Sequence, residues 1–218
     1  MDDTEFDGAL ISFAMRLAAE RGWAAVTVAQ AARAAGLPLE RARARFPTKA
    51  ALLLRFGRRA DQAALTGADT EGAVRDRLFD IIMRRIDVLQ AHRDGVLALF
   101  RALPADPATA AMLGAASLRS MGWMLEGAGI DSSGLMGLLR AKGLLVVWLA
   151  TVRAWTRDEG EDLSATMAAL DSALRRAEQV QGWIVRGGTA AGTVDETPAP
   201  AAEDGDVPLF EPDATPSD

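Results

Sequence analysis

Cysteine and tyrosine are both missing from the 218 residues, and histidine occurs once, as His92. Without thiols there are no disulfides and no thiolate metal sites, which fits a reducing cytoplasm. With one imidazole, a histidine-based metal site or a serine–histidine dyad has no second member, so neither catalytic nor metal-ligating residues are expected. His92, in AHRDG, reads as a helix-end residue. Long apolar runs are lacking too: residues 143–152, between Lys142 and Arg153, make about half the length a bilayer span requires. The MDDTEFD start is acidic where an export signal carries positive charge. No membrane span and a cytoplasmic location are therefore the expectation.

What is present is helix-forming residues and an uneven charge. The net charge of −6 combines +4 over residues 1–60, −2 over 61–186 and −8 over 187–218. The last of these segments holds five of the nine prolines and almost no apolar pattern, so it is read as a disordered acidic tail. Before it, Ala, Leu, Arg and Glu dominate, apolar residues recur at spacings of three and four, and no alternating strand pattern occurs. An all-α fold of about nine helices follows, near residues 4–20, 28–34, 38–46, 48–65, 71–91, 93–102, 107–127, 132–157 and 161–184. GAGIDSSG lies between helices and not after a strand, which argues against a dinucleotide loop, and no cofactor is expected. Asp158, Glu159, Glu161 and Asp162 precede a helix start and read as partners of its dipole.

The segment AARAAGLPLERARARFPTK carries the strongest signal. Thr27 with Gln30 forms a capping box that opens a short helix, Gly36 stops it, and Pro38 suits the first turn of the next. Two short helices joined by a Gly-containing turn match a helix-turn-helix, whose second helix enters the major groove. On a wheel, Leu39, Ala42 and Phe46 share one face and should pack inward. Glu40 and Ala44 then point outward, flanked by Arg41 and Arg43, with Arg45 near the packed side. Residues 26–60 hold eight bases, Arg33, Arg41, Arg43, Arg45, Lys49, Arg55, Arg58 and Arg59, against the single acid Glu40. Such a local excess is the footprint of phosphate binding, although a solvated basic face would give the same count.

VTVAQAARAAGLP, then Phe46, Lys49 and Leu52 in RFPTKAALL, preceded by a helix ending in Gly-Trp and followed by about six helices, resemble the TetR family of transcriptional regulators. The resemblance implies a helix-turn-helix DNA-binding domain over residues 1–47, a helical ligand-binding and dimerisation domain over 48–186, and the tail over 187–218. It implies phosphate or base contacts from Thr27, Arg41, Arg43 and Lys49, to which the wheel and the charge add Arg33, Glu40, Ala44 and Arg45 as candidate DNA-binding residues, and a homodimer through residues 132–184. Glu40 and Arg43 stand where that family usually has Gly and Tyr. Arg43 offers phosphate a stronger contact than Tyr, and Glu40 offers cytosine an acceptor. The chain also resembles the TetR-fold lipid-binding accessory proteins of ubiquinone biosynthesis, which no longer read DNA. That likeness lies in RGWAAVTVAQAARAAGL, VRDRLFDIIMRRIDVLQAHRDGV and VVWLATVRAWTRDEGEDLSATMAALDSALRRAEQV. The arginine-dense second helix places the regulator first. Large adaptable side chains in the C-terminal half, Phe100, Met121, Trp123, Met124, Trp148 and Trp155, are the expected lining of a pocket for an apolar rather than a charged small molecule.

Overall fold

The structure is a computed structural model that describes residues 1–68 and 71–181. Within them lie nine α-helices and no strand. The tail expected over 187–218 falls outside the described residues.

Helix α1, Asp3–Arg21, opens on a capping box in which the Asp2 carboxylate accepts from the Glu5 amide and the Glu5 carboxylate accepts from the Asp2 amide. It buries Phe6, Leu10, Ile11 and Ala14 along one stripe. After a 3-10 turn, Trp23–Ala25, Thr27 and Gln30 cap α2, Val28–Ala34, as their spacing requires. Gly36, at φ 65, lets the Leu37 amide reach back to the Ala32 carbonyl at 2.8 Å, and the chain turns into α3, Leu39–Arg45. Thr48 caps α4, Lys49–Leu65.

The rest is a bundle of α5, Val74–Gln90, α6, Arg93–Ala102, α7, Pro107–Gly127, α8, Gly134–Trp155, and α9, Ser164–Gln181. Helices α8 and α9 pack side by side, α4 lies between α5 and α7, and α1 lies along α6. The last contact fastens the amino-terminal helices to the bundle. It is close enough that a Cβ built on Gly95 would sit 2.3 Å from the Met15 carbonyl oxygen.

The joints between later helices are made by aspartates. Asp106 accepts from the Thr109 amide and hydroxyl, Asp131 from those of Ser133, and Asp158 from those of Thr166 at 2.8 and 2.7 Å. Asp162 accepts from the Ser164 amide, so two of the four loop carboxylates do meet the start of α9. The hydroxyl bonds, then the amide bonds, hold the three carboxyls below the ordinary value of 3.8. A carboxylate with a lowered folded-state value adds stability that is complete above the unfolded value and is lost as pH falls through the folded one. The melting temperature should therefore hold down to about pH 4 and fall steeply below it. The fall should flatten in Asp158→Asn, and an equally steep fall in that variant would remove Asp158 from the cause.

Candidate nucleic-acid interface and apolar cavity

Helix α3 has only seven residues, and Ala42 and Phe46 are buried beneath it as the wheel predicts. Leu39 is 40% exposed instead of packed. On the other edge of the helix, Arg41 and Arg45, one turn apart, are held against α1. Arg41 Nη2 pairs with Asp3 Oδ1 at 2.6 Å, and its guanidinium lies 4.4 Å from the Phe6 ring centre. Arg45 pairs with Asp3 and clasps Asp7 through Nε at 2.6 Å and Nη2 at 2.8 Å. Arg55 of α4 approaches the same Asp7 carboxylate at 3.3 Å.

Asp7 is buried on the apolar stripe of α1, where its one carboxylate is shared by two guanidiniums. The Asp7 hydrogen bond raises the Arg45 pKa above its usual range, and the Arg41 hydrogen bond lowers that of Asp3. Lys49 donates to the Trp23 and Ala24 carbonyls and sits 4.5 Å over the Trp23 ring; burial lowers its pKa. Arg59 donates to the Thr4 carbonyl. Five of the eight bases therefore fasten helices together. Among the described residues, Arg33, Arg43 and Arg58 have no ion pair, and Arg58 lines the cavity described next. The outward surface of this end consists of Thr27, Arg33, Glu40, Arg43 and Ala44, all exposed or nearly so.

Between α4, α5, α6, α7 and α8 lies a cavity of about 660 Å³, within the range of small-molecule sites. Phe100, Trp123 and Trp148 line it as expected. Met121, Met124 and Trp155 do not: each is wholly buried core. Trp155 is held there as a structural tie, its indole donating to Gln90 Oε1 at 2.8 Å while Arg93 donates to its carbonyl. The cavity also holds a charged pair that the apolar expectation missed. Arg85, 5% exposed, meets Asp61 at 3.0 Å and stacks 4.3 Å from the Trp148 ring centre. Asp61 takes a second contact from the Ser120 hydroxyl at 2.6 Å. Burial outweighs Asp61 and lowers the Arg85 pKa. The signal for Arg85 was its register, since it continues the buried series Leu78, Ile81, Ile82 with Ile86 and Leu89 following.

Two solved structures are similar to the whole arrangement. A TetR transcriptional regulator from Nitrosomonas europaea superposes with a TM-score of 0.66 at 23% identity, over 80% of this chain and 99% of that one. A TetR transcriptional regulator from a Rhodococcus species does so with a TM-score of 0.55 at 17% identity, over 81% and 97%. No protein-family model and no curated protein matches the chain. The fold is that of the TetR regulators.

In this TetR fold, α8 has an unusual surface. Leu135, Leu138, Leu139, Val146 and Leu149 are exposed at spacings that put them on one side of the helix. Its 22 residues and mean hydropathy of 1.7 are enough by length and composition to cross a membrane, unlike any other single described helix. Its opposite side is buried through Gly137, Ala141, Leu144, Val147 and Trp148, and Arg140, Lys142 and Arg153 interrupt it.

Proposed function

We propose that this chain is a cytoplasmic, ligand-responsive regulator that binds operator DNA as a homodimer and senses a small molecule with an apolar body. Residues 1–47 form the reading head and 48–186 the sensing and pairing body. One observation carries the proposal: in a TetR fold, α3 presents Glu40, Arg43 and Ala44 to solvent while Ala42 and Phe46 seat it on the helices behind. Arg33 and Thr27 flank that surface. Arg41, Arg45 and Lys49 act from behind, holding the head in shape. The exposed stripe of α8 is the surface on which a second copy would bury its own stripe, as large exposed apolar patches commonly mark partner sites. Two recognition helices roughly 34–36 Å apart then call for a near-palindromic site.

A second reading is favoured by a specific observation. Asp3 and Asp7 engage three of the bases that the head would offer to phosphate. A lipid-binding protein of this fold that no longer reads DNA has no use for those bases except as fasteners.

Titrating the full chain with duplex from the intergenic region beside its own gene, over a salt series, separates the two. The regulator gives a dimer by sedimentation and an affinity that falls linearly in log–log with salt. Arg43→Ala should then weaken binding similarly on every sequence and shrink the salt slope by about one. No salt-dependent binding by the wild type would leave the second reading standing, and an unchanged slope would strike Arg43 from the contacts.

A further inference from the structure

The cavity is mostly apolar, yet its polar inventory is one-sided: Arg58, Arg85 and Arg119 face Asp61 alone, with Ser117 and Ser120 beside them. Arg58 and Arg119 are exposed, so water serves them. Arg85 is different. Its Nε and Nη1 are buried and have no hydrogen-bond partner, and the Asp61 Oδ1 it approaches accepts no hydrogen bond either. The pair attracts across 3.0 Å without a well-directed bond. Buried guanidiniums normally have their donors filled, because each unfilled one forfeits its water without replacement. A buried guanidinium with two unfilled donors in the wall of a mostly apolar cavity is half of a recognition pair.

We propose that the cavity takes an amphipathic organic anion, an aliphatic or aromatic carboxylate, with its head received by Arg85 and its body lying against Phe100, Leu113 and Trp148. This rests on the reading of the cavity as a ligand site and narrows the ligand's class. A carboxylate supplies the acceptor lone pairs that Asp61, already engaged by Ser120, fails to align. The excess of three guanidiniums over one carboxylate around the space favours a negative guest, and the apolar walls favour one with a hydrocarbon body. A neutral isoprenoid would fill the volume and leave Arg85 as it stands.

The test is calorimetric titration of the full chain with decanoate and, separately, with decanol, which has the same tail and no charge. Decanoate should bind at least tenfold more tightly to the wild type. In the double variant Arg85→Met/Asp61→Asn, which leaves no lone buried charge, that preference should vanish while decanol binding stays. Arg85→Lys should retain part of the preference. Equal binding of the two probes by the wild type overturns the anion and spares the cavity as a ligand site. A preference that survives the double variant overturns Arg85 as the receiver and would place the head at Arg58 or Arg119. If neither probe binds, the ligand-site reading fails and the anion with it. The wild-type comparison decides without any variant having to fold.

Discussion

Asp7→Asn should lower stability by about 2–3 kcal/mol and, in the same variant, raise affinity for nonspecific duplex. The carboxylate is buried on α1 and is clasped by Arg45 through two hydrogen bonds, with Arg55 at 3.3 Å. Removing one member of a buried ion cluster costs about 3–5 kcal/mol, because the opposite charges stay behind without compensation. The side chains of Arg45 and Arg55 keep 21% and 37% of their exposure, so solvent recovers part of that loss. For a chain of this size the melting temperature should drop by roughly 5–10 °C. The released guanidiniums are then free to meet phosphate, and the salt slope on random duplex should steepen by one to two. Exchanging the cluster for apolar residues, as in Asp7→Leu/Arg45→Met, should cost less than Asp7→Asn alone. An Asn variant as stable as the wild type would mean that the cluster does not fasten α3 and α4 to α1.

Gly95→Val should separate α6 from α1 and destabilise the chain by about 2–3 kcal/mol. A Cβ at this position meets the Met15 carbonyl oxygen at 2.3 Å and its Cα at 2.8 Å, and both are backbone atoms with no rotamer to give way. Replacing a glycine in a helix interior gains up to about 1 kcal/mol in helix propensity, and less in the first turn where Gly95 sits. Overpacking against fixed atoms costs about 1–3 kcal/mol and wins, the more so for a β-branched side chain. Gly114→Ala on α7 is the matched control, since nothing lies within 4 Å of its built Cβ, and it should leave stability equal or slightly higher. Urea unfolding of the two variants side by side decides the matter, and equal midpoints would show that α1 and α6 do not touch as described. The same contact gives Gly95→Val a functional readout. Val96, Leu99 and Phe100 on α6 line the cavity while Gly95 abuts α1, so displacing this helix should alter duplex affinity and ligand affinity together.

The helix ends were legible because they depend on neighbours in sequence. Thr27 and Gln30, with Gly36, placed the bounds of α2 where the structure has them. The exposure of Leu39 was not legible, nor were the ion pairs on the far edge of α3, whose carboxylates lie 38 residues away on α1. A wheel drawn for an isolated segment sees Leu39 as the obvious anchor and has no means of weighing Arg45 against Asp7. The number of basic residues in the head was legible and their arrangement was not, since a count cannot separate a guanidinium that faces solvent from one that clamps a helix. In the cavity the aromatic side chains divided by depth: Trp123 and Trp148 reach the space, and Trp155 is turned into the core by a bond to Gln90. Arg85 and Asp7 share one signature, a charge seated on an apolar stripe. In both places the structure shows an arginine–carboxylate contact there.

Trp123 and Leu149 are each more than half exposed, and each also lines the cavity. They therefore form its doorway, and Leu149 at the same time belongs to the bare flank of α8. A second copy settling on that flank, as proposed above, would cover the doorway. Under that proposal guest exchange would be tied to self-association: a molecule admitted while the copies are apart would be held once they close, and its residence time would follow how often the pair opens.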